Sequence, residues 1–183
     1  TDWSRDGKLG VFSTFDPKSG WDLMYVPMLD REEDRKPQRY LVTEFDEQFG
    51  RVSPDGHWLA YTSDEVGTTE VYVDSFPTPR AKVRISTGGG NEPVWRSDGN
   101  ELFYDTPSGT LMGVGVERGT TLRPGAPKPV FTKPVARRIP RKFPSEPTYA
   151  VSNDGRFLMI KESGAQHLVV VQHWFEELKR LVP

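Results

Sequence analysis

The chain has 183 residues, 35% of them hydrophobic and 27% charged, with a formal charge of −2. That balance suits a globular chain able to bury a core, and it offers no net positive field for nucleic acid or an anionic membrane. There is no cysteine, which excludes disulfides, thiolate zinc sites and a cysteine nucleophile, and no apolar run approaches the roughly 20 residues of a membrane span.

Seventeen glycines and 16 prolines reverse the chain often, which favours short strands over long helices. A recurring unit opens with "DWSRDGKLGVFST" (2–14) and returns as "RVSPDGHWLAYTS" (51–63), "VWRSDGNELFYDT" (94–106) and "AVSNDGRFLMIKE" (150–162). The turn glycines Gly7, Gly56, Gly99 and Gly155 are spaced by 49, 43 and 56 residues. Asp-Gly between two apolar runs predicts strand, tight turn, strand, because glycine takes positive φ at no steric cost and aspartate tolerates it. A third strand follows each pair, at 22–29, 70–76, 110–116 and 167–174, and a fourth follows three of them, at 39–43, 83–87 and 129–132. Each unit is therefore an antiparallel meander of about 45 residues, the size of a propeller blade. The units run over about 1–43, 44–87, 88–135 and 136–183 of one propeller-type domain.

The second strands show why the units should stack. Leu59 and Tyr61 point to one face and Trp58 and Ala60 to the other. A sheet wetted on one side alternates polar with apolar, whereas a blade between two neighbours is apolar on both. Trp3, Trp58, Trp95, Tyr61, Tyr72 and Tyr104 all fall in the strand repeats and read as inter-blade packing rather than a carbohydrate platform. After "HLVVVQ" the pattern changes: Trp174, Leu178, Leu181 and Val182 share a helical stripe, and Glu176 and Glu177 precede Lys179 and Arg180. That predicts a short C-terminal helix. The fold class is all-β: a propeller or partial propeller of about four four-stranded blades with that helix at its end.

The segment "VSPDGHWLAYTS…EVYV", with its weaker copies, resembles the TolB-like, WD-like β-propeller repeat. The resemblance covers essentially the whole chain and is specific for fold rather than function. The central region, with the ending "WFEELKRLVP", is similar to C-terminal propellers of bacterial multidomain proteins, including those carried behind serine/threonine kinase domains. The resemblance implies a bacterial parent protein in the periplasm or another extracytoplasmic setting. No kinase motif is in this chain. TolB-like propellers usually have six or more blades, so about four implies a fragment or an open half-ring. An open ring exposes the apolar faces and strand edges of its end blades. The expectation is a homodimer whose two arcs close a ring of about eight blades.

The polar motifs are weak as chemistry. Asp6, Asp55, Asp98 and Asp154 repeat once per blade, too far apart to converge on one ion, so they read as turn residues and no metal or other cofactor is expected. "TGGGNEP" (87–93) lacks the Lys-Ser/Thr ending of a phosphate loop and reads as a blade-to-blade crossover. Asn91 and Glu92, at its end, enter the inner strand, with Glu47 and Arg51 near the matching place one blade earlier. These four are the candidate binding residues at the channel rim. Lys133, Arg137, Arg138, Arg141 and Lys142 form a basic segment that could hold an anion or an acidic partner. No aromatic interleaves them, so no nucleic acid is expected. His167 and His173 sit about 20 Å apart along one strand, and His57 lies in another blade, so no histidine site forms.

No acid, base and nucleophile cluster in sequence, and there is no Gly-x-Ser-x-Gly elbow. The leading expectation is a non-catalytic module that binds a protein partner, possibly itself, or senses a ligand, without membrane insertion. The alternative is a hydrolase or lyase acting on saccharides or peptides at the central channel. That requires Glu47, Arg51, Glu92 and Glu146 to converge on the axis.

Overall fold

The computed structural model describes residues 2–28, 31–132 and 148–159. The third strand of the last unit, the C-terminal helix, His167, His173, Glu146 and the basic segment from Lys133 to Lys142 lie outside the described residues.

The first blade consists of β1 (Asp2–Trp3), β2 (Leu9–Asp16), β3 (Gly20–Pro27) and β4 (Gln38–Leu41), hydrogen-bonded in that order. A 3-10 turn at Glu32–Asp34 lies between its last two strands. The second has β5 (Gln48–Val52), β6 (Trp58–Ser63), β7 (Glu70–Ser75) and β8 (Val83–Arg84). The third has β9 (Asn91–Trp95), β10 (Glu101–Asp105) and β11 (Thr110–Arg118), with β12 (Leu122–Pro124) and β13 (Lys128–Thr132) both on the far edge of β11. Of the fourth, β14 (Tyr149–Val151) and β15 (Phe157–Met159) are described. All pairings are antiparallel. The expected strands are present wherever the chain is described. β12 is an addition, made possible by the length of β11, which outruns β13 and exposes a second pairing edge.

The Asp-Gly motif works by a different division of labour from the one expected. Gly7, Gly56, Gly99 and Gly155 do take positive φ, between 70° and 80°. Each amide donates back to the residue three earlier: Ser4, Ser53, Arg96 and Ser152. The aspartates do not share that conformation: among the described non-glycine residues only Phe49 and Glu92 have positive φ. Their carboxylates are what the turn uses. Asp6 Oδ1 accepts the Ser4 hydroxyl at 2.6 Å and the Lys8 amide at 3.1 Å. Asp55 accepts from Ser53 and from the His57 amide, and Asp154 from Ser152. The serine hydroxyl in turn accepts a strand amide, as in Trp58 N–H to Ser53 Oγ at 3.0 Å. This is a side-chain mimic of a backbone turn. The Ser4 hydroxyl holds the Asp6 carboxyl below its ordinary range, and that of Ser152 brings Asp154 down to about 2.

Between blades lie three cores. Val11, Leu23, Tyr40, Leu59, Tyr61 and Tyr72 join the first blade to the second. Trp58, Ala60, Val73, Trp95, Leu102 and Val114 join the second to the third. Phe103, Leu111, Phe131, Tyr149 and Phe157 join the third to the fourth. β6 thus splits as its alternation predicts, Leu59 and Tyr61 into one core and Trp58 and Ala60 into the next. Aromatic contacts reinforce the seams: Tyr25 and Tyr40 meet Phe76 at 5.7 and 5.5 Å between centroids, and Phe103 meets Phe157 edge-on at 5.0 Å.

Gly50, on β5, lies where the first two blades approach closely. A Cβ there would stand 2.9 Å from Val11 Cγ1 and 3.1 Å from Leu23 Cδ2, both fully buried. Replacing Gly50 by Ala should therefore destabilise the fold by about 1–3 kcal/mol through overpacking. Urea unfolding of the variant reads this directly, and an unchanged midpoint would contradict it.

Candidate functional site

Polar groups near the axis divide into struts between blades and a cleft that remains open. The struts come first. Asp2 on β1 accepts the Val52 amide of the second blade at 2.8 Å, with Arg51 Nη1 4.0 Å away. Burial raises the Asp2 carboxyl above its ordinary value, outweighing the Val52 amide and the Arg51 charge that favour ionisation. Trp95 on β9 donates its indole N–H to the Arg51 carbonyl at 3.0 Å. Glu92 Oε2 accepts both the amide and the hydroxyl of Thr148 at 2.7 and 2.8 Å, and Tyr149 donates its hydroxyl to the Glu92 carbonyl. Every inner strand is thus tied to the next by at least one side chain.

The Glu92 strut depends on a backbone feature that the sequence did not announce. Glu92 and Phe49 occupy the same place, seven residues before their turn glycines, and have φ of 50° and 55°. Both sit at register shifts where the inner strand bulges against its neighbour. Neither residue is glycine or asparagine, the usual signals for that conformation.

Crossovers on the opposite end from the Asp-Gly turns are anchored by buried carboxylates. Glu70, which opens β7, accepts the Gly89 amide at 2.9 Å and the hydroxyls of Ser86 and Thr68. The "TGGG" loop therefore spends its Gly89 amide on an internal carboxylate, as a crossover rather than a phosphate cradle. Asp22 holds the equivalent register in β3, opposite Thr14 as Glu70 is opposite Ser63, and accepts the Ser19 hydroxyl at 2.8 Å. Glu47 lies beside it. The amide of Glu47 donates to the Trp21 carbonyl, and its Oε1 accepts the Thr43 hydroxyl at 2.6 Å. Asp22 Oδ1 and Glu47 Oε2 are both buried without a hydrogen bond. Burial pushes the Glu47 carboxyl up to about 7, with the negative charges of Asp22 and Asp64 adding and the Thr43 hydroxyl and Lys82 opposing.

The open feature is a cleft of about 330 Å³ on the axis at the Asp-Gly end. All four blades contribute: Asp2, Trp3 and Arg5 from the first, Arg51 to Pro54 from the second, Val94, Trp95 and Ser97 from the third, and Asn153 from the fourth. Arg5 reaches across it to the Ser97 carbonyl at 3.5 Å. Of the four residues expected at the rim, Arg51 lines this cleft. Glu47 is 2% exposed in the first crossover, Glu92 is bonded to Thr148, and Asn91 accepts the Glu92 amide on its side-chain oxygen at 3.0 Å. The residues missed from sequence, Asp2, Trp3 and Arg5, sit in a stretch whose repeat pattern pointed to strand and turn.

Three meanders and a two-stranded fourth unit among the described residues, each inner strand tied to the next, define a β-propeller fold. Solved structures agree. The chain is similar to TolB from Acinetobacter baumannii (TM-score 0.63, 14% identity), over 89% of this chain and 37% of that one. It is similar to the Swd1 β-propeller domain of Myceliophteria thermophila (TM-score 0.52, 14% identity), over 93% of this chain and 54% of that one. A Bacteroides uniformis protein assigned as a 6-phosphogluconolactonase also matches (TM-score 0.59, 13% identity), over 86% of this chain and 45% of that one. The chain thus spans about half or less of the propellers it matches. No family profile matches the sequence, and no curated protein does. The resemblance to the TolB-type repeat holds at the level of fold.

The raised Glu47 carboxyl carries a consequence for stability. Folded, it keeps its proton to about pH 7, whereas its ordinary value is 4.5. The folded state therefore binds more protons in that window, and stability falls as pH rises from about 4.5 to 7, by at most about 3.4 kcal/mol. Glu47→Gln retains an acceptor for Thr43 and should flatten this slope. Urea midpoints at pH 5, 6, 7 and 8 test it, and parallel curves for the two proteins would show that Glu47 is not the titrating group.

Proposed function

We propose that this chain is a non-catalytic protein-interaction module, part of a larger protein, that takes an acidic peptide segment into the axial cleft. One observation carries the reading: a single cleft lined by all four blades combines the exposed Trp3 indole with the guanidinium groups of Arg5 and Arg51 against one carboxylate, Asp2. Indole and guanidinium surfaces supply apolar contact together with directional binding of carboxylates. Loops and turns on a rigid scaffold are where such binding evolves.

The alternative, hydrolysis or elimination at the channel, asks for carboxylates converging on the axis. Glu47 is buried in a crossover, and the Glu92 carboxylate is occupied by Thr148. The likeness to an assigned lactonase is one of fold.

Trp3 and Trp95 line the cleft and serve as reporters. Hexaglutamate should change tryptophan fluorescence saturably, hexalysine should not, and Arg5→Ala should weaken hexaglutamate binding about tenfold. Arg5 is exposed, so that variant leaves the fold intact. No saturation by hexaglutamate up to about 1 mM, a free energy near −4 kcal/mol, would defeat the acidic-peptide reading.

A further inference from the structure

The hairpin between β2 and β3 ends differently from its counterparts. Eight residues after the turn glycine the first blade has Phe15, where the second has Asp64 and the third has Pro107. One residue before the buried carboxylate of the third strand stands Trp21, where the second blade has Thr69. Phe15 and Trp21 are opposite each other in the register, their rings edge-on at 5.5 Å between centroids. Alternation puts them on the face of Val11 and Leu23, which pack on the second blade, but neither joins an inter-blade core. Phe15 is 59% exposed and Trp21 is half-buried.

The crossover from the first blade to the second runs past this pair. Asp46 Oδ1 accepts the Trp21 amide at 2.9 Å, and the Asp46 amide donates to Asp64 Oδ1, also at 2.9 Å. Phe15, Trp21, Asp46 and Asp64 thus form one continuous surface at the crossover end. Val42 lies in the same crossover and Val66 in the same turn as Asp64. With Phe15 they are three of the five large hydrophobic side chains that stay exposed among the described residues. Six acids fall within residues 15–21, 42–47 and 64–69, against one base, Lys18. Glu47 is buried and Glu65 is paired with Lys82. No ion pair engages Asp16, Glu44, Asp46 or Asp64 among the described residues.

We infer that this surface receives an arginine-bearing segment of a partner protein, with a guanidinium against the Phe15–Trp21 pair and its N–H fork on the Asp46 and Asp64 carboxylates. A guanidinium is flat, weakly hydrated and forked, so it stacks on an aromatic ring while it binds a carboxylate. A lysine ammonium is compact and strongly hydrated, and it matches the carboxylates alone. Aromatic rings beside carboxylates that lack ion pairs therefore select arginine over lysine. This surface is separate from the axial cleft. It lies at the opposite end of the blades from the Asp-Gly turns, carries the opposite sign of charge and shares no residue with the cleft. Phe15→Ala and Arg5→Ala thus report on the two ideas independently.

The test is calorimetric titration with hexaarginine and with hexalysine at low ionic strength, where exposed charges are least screened. Hexaarginine should saturate the protein below about 1 mM and bind at least about tenfold more tightly than hexalysine. Phe15→Ala removes no charge and should weaken hexaarginine binding about tenfold, with an unchanged urea midpoint to confirm that the variant folds. Asp46→Asn keeps an acceptor for the Trp21 amide and should weaken binding comparably. Glu33→Gln removes the same charge from the exposed 3-10 turn at the other end of the first blade and should leave binding unchanged. No saturation by hexaarginine up to about 1 mM overturns the inference. So does hexalysine binding equal to that of hexaarginine, or a Phe15→Ala protein that binds as wild type does, since either would show charge attraction alone.

Discussion

Burial on both faces of each sheet is the constraint on which the rest of this structure depends. β6 shows it most simply: all six residues from Trp58 to Ser63 are buried, with alternate side chains entering different cores. A strand of that kind is stable only with a neighbour on either side, because an apolar face left in water forfeits roughly 25 cal/mol for every Å² it could have buried. The second blade has both neighbours. The first and fourth have one each among the described residues, and their outward faces carry Trp3 and Leu158. Trp3 and Leu158 are two of the five large hydrophobic residues that stay exposed among the described residues.

Polar groups in this arrangement act mainly as positioning devices. Stacked sheets have freedom to slide, since apolar contact is non-directional. Asp2, Glu92 and the indole of Trp95 each bridge two inner strands, and Glu70 holds the crossover to the third blade. Arg118 adds a clamp at the turn end, pairing with Asp55 of the second blade and donating to the Asp98 carbonyl of the third at 2.8 Å. Carboxylates that look like candidate chemistry in a sequence are here partners to backbone amides and hydroxyls that burial would otherwise orphan. The Glu47 and Asp22 pair departs from this, because each keeps one oxygen without a hydrogen bond. Their mutual repulsion is part of why Glu47 holds its proton.

Much of the fold was legible because its signals are local. An Asp-Gly pair with an apolar run on either side recurs in a short window, and the structure places strands on each. The third-blade turn shows how far the pattern stretches: Arg96 replaces serine, and its Nε lies 3.4 Å from Asp98 Oδ2 in place of the hydroxyl. Less of the candidate site was legible. Arg51 was found from its place after a crossover, while Asp2, Trp3 and Arg5 were hidden in strand and turn pattern. Glu92 was singled out for its position, but its positive φ and its bond to Thr148, 56 residues away, have no sequence signal.

The sequence by itself determined the repeat, the two-faced strands and the turn chemistry, because each depends on residues a few positions apart and on a side-chain period of two. Only the tertiary structure decided what the polar and aromatic residues do. Trp3 and Trp95 have matching places and near-matching surroundings in sequence, yet one is a buried seam residue and the other is open to solvent. Glu47 and Glu92 both sit near crossovers, yet one is an interior acid and the other a strut. The physical reason is that burial, electrostatic environment and hydrogen-bond partners belong to the neighbouring blade, and the chain supplies that neighbour from some 45 residues away.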